Sequence, residues 1–151
     1  MGNEAGFHEG DKKDIARLLK MQPGRIKIDR FEYSSSFPDE IKAWKIVSGT
    51  DPDLREYEGK LYYPAGALIE LIDLTTELLV KHRFTGMDGL PGLVATDTRF
   101  RKPVTAEDEL LVQVKLLRNY KGRIGIFSGV IADRAGDIVA ENVSKGVIIR
   151  I

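Results

Sequence analysis

The sequence predicts an α+β fold in which an antiparallel sheet curls around one long central helix. Three observations carry this expectation. A segment without breakers follows Pro64 and stays rich in leucine and isoleucine from Ala65 to about His82. Everything beyond residue 92 reads as strand, cut by the short turn-forming stretches "TAED", "KG" and "AGD". The 151 residues show no repeat and no low-complexity segment, and their number suits one domain with a real hydrophobic core.

Residues 1–12 are small, polar and glycine-containing, and are expected to form a flexible tail ahead of a single domain over 13–151. "DIARLLKM" presents Ile15, Leu18, Leu19 and Met21 behind a cap at Asp11 or Asp14, a short amphipathic helix that Pro23-Gly24 ends. "RIKIDRFEY" alternates and reads as a strand, "SSSFPDE" as a turn. "IKAWKIV" alternates again, with Ile41, Ala43 and Lys45 opposite Trp44 and Ile46, and "SGTDPD" turns the chain once more. Pro64 suits the first turn of a helix, where its missing N–H has no partner to lose. The helix from Ala65 to His82 would be roughly 27 Å long. Its Leu68, Leu71, Ile72, Leu74, Leu78 and Leu79 recur at three- and four-residue spacing, so it is expected to be largely buried. Glu70, Asp73 and Glu77 fall on one acidic stripe. "TGMDGLPG" (85–92) reads as a loop. The strands that follow are "LVATDTRFRKPV", "ELLVQVKLLRNY", "RIGIFSGVIADRAG" and "IVAENVSKGVIIRI", the last two joined by the hairpin loop "DRAGD".

Composition narrows the function. Hydrophobic residues make up 42% and charged residues 30%, which argues against disorder. Lys+Arg and Asp+Glu both number 23, without the basic excess of a nucleic-acid binder. The absence of cysteine excludes disulfides, thiolate metal sites and a cysteine nucleophile. The opening "MGNEAGFHEGDKKD" has no apolar signal core, Gly6 breaks the myristoylation pattern, and no apolar run approaches the ~20 residues of a membrane span. The expectation is a cytoplasmic protein.

The order of strand, strand, loop, buried helix and long strands resembles the hotdog fold. Within that fold the chain resembles the 3-hydroxyacyl-[acyl-carrier-protein] dehydratases of fatty-acid synthesis. Their motif H-F-P-G-x-P-V-M-P-G-V-L-I-I-E-A-x-A-Q lies without a gap on "EYEGKLYYPAGALIELIDL" (56–74), with Gly59, Pro64 and Glu70 in place. "IDRFEY" (28–33) is similar to the family's V-D-R-V strand, and "TRFRKPVTAED" (98–108) to its V-R-F-R-R-P-V-x-P-G-D. "GVIADRAGDIVAENVSKGVII" is similar to its closing hairpin. The resemblance runs over roughly residues 14–149.

What the resemblance implies is an elimination on an acyl thioester. In the family a histidine takes the proton α to the carbonyl. A helix acid from the partner subunit of a dimer handles the leaving hydroxyl, and a backbone N–H near the motif glycine polarises the carbonyl. Carried over, the acid is Glu70 and the glycine Gly59, while the histidine position holds Glu56 and the helix glutamine position holds Leu74. Leu61 replaces the motif's second proline, and Ala106-Glu107 the later P-G. Glu56 has two readings: with Glu70 it divides the two proton transfers, or it is a solvated loop residue. Glu70 likewise is either the site acid or one member of the exposed acidic stripe. Tyr63 and Pro64 would line the substrate, and Tyr57 and Tyr62 either join them or only pack on the helix.

Arg99 and Arg101 flank Phe100 and project from one strand face. Joined by Lys115, Arg118, Lys121 and Arg123, they either dock an acidic acyl carrier protein or form an ordinary charged surface. His8 falls in the expected tail, and His82 at the helix end, where a cation suits the dipole. No metal-ligand spacing is present and no cofactor is implied. The expected partners are an acyl carrier protein or coenzyme A thioester and a second copy of the chain, with further assembly open. A thioesterase and a non-catalytic acyl-binding subunit are the alternatives to a dehydratase.

Overall fold

The computed structural model describes residues 6–84, 90–121 and 123–149. The chain runs β1 (Phe7–Asp11), α1 (Lys12–Leu19), β2 (Arg30–Ser34), β3 (Glu40–Ile46), β4 (Arg55–Tyr57), β5 (Lys60–Tyr63), α2 (Ala65–Arg83), β6 (Leu90–Phe100), β7 (Val104–Thr105), β8 (Glu109–Tyr120), β9 (Ile124–Ala132) and β10 (Ile138–Ile149). Seven strands form an antiparallel sheet in the order β1-β2-β3-β8-β9-β10-β6, and β4-β5-β7 form a small second sheet. Helix α2 packs against β3, β8, β9 and β6, with α1 beside it. This is the expected α+β arrangement of one long helix on an antiparallel sheet.

Burial of α2 follows from its spacing. Leu71, Leu78 and Leu79 are fully enclosed, and Ala67, Leu68, Ile72 and Leu74 are buried with them. Two threonines sit in this dry helix, Thr75 and Thr76. Their hydroxyls donate back to the carbonyls of Leu71 (2.6 Å) and Ile72 (2.8 Å), which satisfies them without breaking the apolar contact. The sheet comes close to the helix at Gly129, where an added Cβ would lie 2.6 Å from Ile72 Cγ2. That position is glycine because the helix leaves no room for a methyl group.

Several expectations need correction. Residues 7–12 do not belong to a tail: Phe7–Asp11 pair antiparallel with Arg30–Ser34, and the helix starts at Lys12. A capping box makes this junction. Asp11 accepts from the N–H groups of Lys13 (3.0 Å) and Asp14 (3.1 Å), and Asp14 accepts from the Asp11 N–H (3.0 Å). Residues 1–5 lie outside the described residues. The strand expected from Arg25 starts only at Arg30, because Pro23–Arg25 form a 3₁₀ turn and Asp29 caps the Ile46 N–H at 2.6 Å. The alternation was nevertheless informative, since Ile26, Ile28, Phe31 and Tyr33 are all core residues. Pro64 stands at the helix N-cap, one residue before the first turn. Residues 85–89 of the expected loop lie outside the described residues, and strand β6 already begins at Leu90. The β4–β5 hairpin has too few alternating residues to be read from sequence.

The histidines are also placed differently. His8, on β1, stacks against His82 with ring centroids 5.3 Å apart, and Phe31 (5.2 Å) and Tyr33 (4.9 Å) complete the cluster. The His82 Nδ1 meets the Leu78 carbonyl at 2.8 Å. Burial pushes its pKa down against that bond, and nearby His8 adds to the effect, so His82 packs as a ring and not as a helix-end cation.

The close approach at Gly129 generates a test. Gly129→Val should lower unfolding free energy by about 1–3 kcal/mol through overpacking against Ile72. Urea denaturation with an unchanged midpoint would show that the helix and sheet have room to separate.

Candidate functional site

The site is built at the amino-terminal half of α2. Ile26 and Ile28 point into the core, so Lys27 between them points the other way. There its Nζ meets Asp53 Oδ2 at 2.6 Å and Glu70 Oε2 at 2.7 Å. Burial works against the Lys27 charge, but the bonds to Asp53 and Glu70 outweigh it and raise the Lys27 pKa. Glu70 keeps about half its side chain, 55%, open to solvent, so it remains accessible to a reactant.

A second cation lies deeper. Lys45, on β3, is buried and pairs with Asp51 at 2.9 Å, both side chains being 6% exposed. Burial alone would raise the Asp51 pKa, but the hydrogen bond and charge of Lys45 bring it below the usual carboxylate range. Lys45 also faces the Tyr63 ring, 5.9 Å from its centroid. Tyr63 ends β5 and is buried, and its hydroxyl has no hydrogen-bond partner among the described residues. Burial pushes its pKa far up, and the charges of Asp51, Asp53, Glu70 and Asp29 push the same way, so the phenol stays a neutral donor.

Beyond Glu70 along the helix, a small apolar groove of about 100 Å³ opens between α2 and the sheet. Asp73, Thr76 and Glu77 form its helix wall, and Phe127, Gly125 and Gly146 part of its sheet wall. The glycines keep it open: a Cβ on Gly125 would lie 2.7 Å from the Phe127 ring, and one on Gly146 3.3 Å. Asp73 and Glu77 are half-buried without a hydrogen bond or ion pair among the described residues. Burial raises both pKa values. Glu70 adds to the effect at Asp73 and Asp73 adds to it at Glu77, where Lys81 opposes it.

The 3-hydroxyacyl-[acyl-carrier-protein] dehydratase FabZ of Polynucleobacter necessarius subsp. necessarius (strain STIR1) is 31% identical over 142 residues, covering 85% of this chain and 87% of that protein. The chain belongs to this dehydratase family. No family model matches it. Solved structures share its architecture at lower identity. The PaaI protein of the E. coli phenylacetic acid degradation operon aligns with a TM-score of 0.64 and 17% identity, over 90% of this chain and 84% of that one. The smu.793 protein of Streptococcus mutans UA159, bound to acetyl CoA, aligns with 0.62 and 13%, over 75% and 85%. A hypothetical thioesterase protein of Streptococcus pneumoniae TIGR4, with coenzyme A, aligns with 0.61 and 16%, over 75% and 85%. The shared architecture is the hotdog fold.

Set against the FabZ family, the residues picked from sequence separate into two groups. Glu70, Tyr63 and Pro64 gather at the start of α2, where the helix has no side-chain cap and its first residues, Ala65 and Gly66, are exposed. Glu56 does not join them through any bond: it lies on the exposed β4, without a hydrogen bond or ion pair among the described residues. Gly59 forms the tip of the β4–β5 hairpin with φ 78°, beside Glu58 at 49°, a turn that favours glycine. Arg101 is tied to Glu141 through two bonds of 3.1 and 2.8 Å, while Arg99 is exposed on β6. Lys115, Arg118, Lys121 and Arg123 are exposed, with no ion pair among the described residues. Those same residues hold no cluster of three metal-ligating side chains, and no helix long and apolar enough to cross a membrane.

Sequence reasoning missed Lys27, Asp53 and the Lys45–Asp51 pair as parts of this site. Lys45 carried one usable signal, a lysine in phase with the apolar face of an alternating strand. Asp51 and Asp53 sit in a turn whose polar composition explains them without a site.

The buried pair generates a pH prediction. Because the folded-state pKa of Asp51 is depressed, its stabilisation is complete above the unfolded value of about 4 and is lost as pH falls through the folded value. Asp51→Asn should cost about 3–5 kcal/mol at neutral pH by stranding Lys45. Denaturation at a series of pH values should show the gap to wild type closing as pH falls below about 4.

Proposed function

We propose that this chain binds acyl thioesters, carried on acyl carrier protein or coenzyme A, with Glu70 as the reacting base and the α2 groove holding the acyl chain. The observation that carries this reading is an accessible, ion-paired carboxylate at the family's helix-acid position. The groove begins where Asp73 succeeds Glu70 on the same stripe, so a thioester at Glu70 would point its chain into it. The uncapped N–H groups at Ala65 and Gly66 are the available donors to a carbonyl oxygen.

Family membership makes dehydration of a 3-hydroxyacyl thioester the first reaction to consider. In this reading Glu70, ion-paired to Lys27, takes the proton α to the carbonyl, the role the family gives its histidine; the electron pair forms the double bond, and the hydroxyl leaves as water with a proton from a second acid. Glu56 of another copy is the available group, which requires a shared site. A second reading, thioester hydrolysis, is favoured by the absence of an imidazole beside Glu70. His82 lies twelve residues further along α2, roughly 18 Å by helix rise, and His8 packs against it. Hydrolysis needs only one ionised carboxylate to take a proton from water.

The copies would join as a homodimer through β6. This edge strand of 11 residues leaves one row of backbone groups unpaired and exposes Leu93 and Val94. Sedimentation should find dimer at micromolar protein, and Val94→Lys should shift it toward monomer. A monomeric wild type would remove the shared site.

The decisive assay offers 3-hydroxyacyl-ACP and 3-hydroxyacyl-CoA of several chain lengths and reads products by mass spectrometry. Enoyl product supports dehydration, and free acid supports hydrolysis. Substrate retained unchanged would make the chain an acyl-binding subunit and overturn Glu70 as a base. Glu70→Gln should cut turnover by about 10²–10⁴. Gly146→Val, by narrowing the groove, should weaken long chains more than short ones.

A further inference from the structure

We propose that Lys27 is the positioning residue of this site, holding Glu70 as a carboxylate in one orientation through a cation that is itself anchored by Asp53. The inference rests on Glu70 being the reacting group.

Three observations support it. The Nζ of Lys27 lies within 2.6–2.7 Å of both carboxylates, so a single ammonium bridges the loop before β4 and the helix. The Lys27 side chain is 21% exposed and Asp53 29%, against 55% for Glu70. The anchor is therefore better shielded than the group it holds, and Glu70 is the member free to meet a reactant. The backbone that carries Lys27 is held in place, because Ile26 and Ile28 on either side are buried in the core.

The electrostatic surroundings make this cation matter. Asp73 neighbours Glu70 on the same helix, Asp53 shares the Lys27 ammonium with it, and Tyr63 lies within reach of the charges of Glu70, Asp51, Asp53 and Asp29. Apart from that ammonium, all are acidic or neutral groups. Lys45 is taken up by Asp51, and Lys27 is the only cation in ion-pair contact with Glu70 among the described residues. Without it, the Glu70 carboxylate would lose the contact that holds its orientation and would keep Asp73 as a like-charged neighbour, which makes a proton on it more favourable.

The test compares Lys27→Met with Lys27→Arg, which keeps the charge. Side-chain carbon NMR, with Glu70 assigned through Glu70→Gln, follows the carboxyl of the free protein as pH is changed. The titration midpoint of Glu70 should rise by about one pH unit or more in Lys27→Met, and return toward wild type in Lys27→Arg. With an active thioester substrate, the acid limb of the kcat/KM profile should move upward in step, with kcat falling more than KM rises. An unmoved Glu70 midpoint in a folded Lys27→Met overturns the inference even if the enzyme turns over. A moved midpoint in a protein that processes no thioester supports the positioning role while removing the proposed function. Thermal melts identify a variant that fails to fold. In that event Lys27→Gln, which keeps hydrogen bonding without charge, gives the same readout.

Discussion

The structure depends on keeping one helix dry. Helix α2 has Leu71, Leu78 and Leu79 fully enclosed, and β9 carries glycine where it meets the helix. At about 25 cal/mol per Å² of apolar surface removed from water, such a helix is a major share of what drives folding. A carboxylate therefore has only the margins of α2 available to it. The three that occur, Glu70, Asp73 and Glu77, lie along one such margin, and their order along it sets their environments. Glu70 is open and bound to a cation, whereas Asp73 and Glu77 are half-buried with no ion pair among the described residues. One helix thus offers a charged end for a polar reacting group and an increasingly apolar wall for a chain.

The charges at the amino end form one pair and one three-membered bridge and not a diffuse field. Lys45 and Asp51 are buried together, and Lys27 joins Asp53 to Glu70. Asp51 and Asp53 belong to the same turn, so the placement of that turn by Lys45 also places the carboxylate that holds Lys27. A buried pair is weak evidence for net stability, since desolvation offsets much of its attraction. Its value here is positional. It ties the turn before β4 to the body of the sheet and leaves the Tyr63 hydroxyl enclosed among these groups.

Much of the fold was legible because its elements are long. Strand β8 runs over the very residues, 109–120, whose alternation marked it, and α2 ends one residue beyond the expected end. The short elements were not legible. A strand of three residues such as β4 cannot display a period, and the residues of β1 look like a tail because their pairing partner is β2, remote from any local signal. The site divides the same way. Glu70 could be found because it sits in a motif on a helix. Lys27 could not, because nothing local distinguishes it from any lysine between two isoleucines. Its role appears only when residues 27, 53 and 70 are brought together.

The missing histidine changes how the motif should be read. An imidazole and a carboxylic acid have different tasks in an elimination because their ordinary pKa values differ by about two. With glutamate at both positions that difference must come from surroundings instead. On α2 the cation of Lys27 supplies a surrounding that favours charge. At position 56 the exposed strand supplies neither a cation nor burial within one chain. Any distinct character for Glu56 must therefore be conferred by a second copy, which would have to bury it or place it near a negative charge. The same dependence explains why hydrolysis is the simpler chemistry for one subunit. It requires one base, one water and a polarised carbonyl, and the proposed base, Glu70, and the uncapped N–H groups both belong to the amino half of α2.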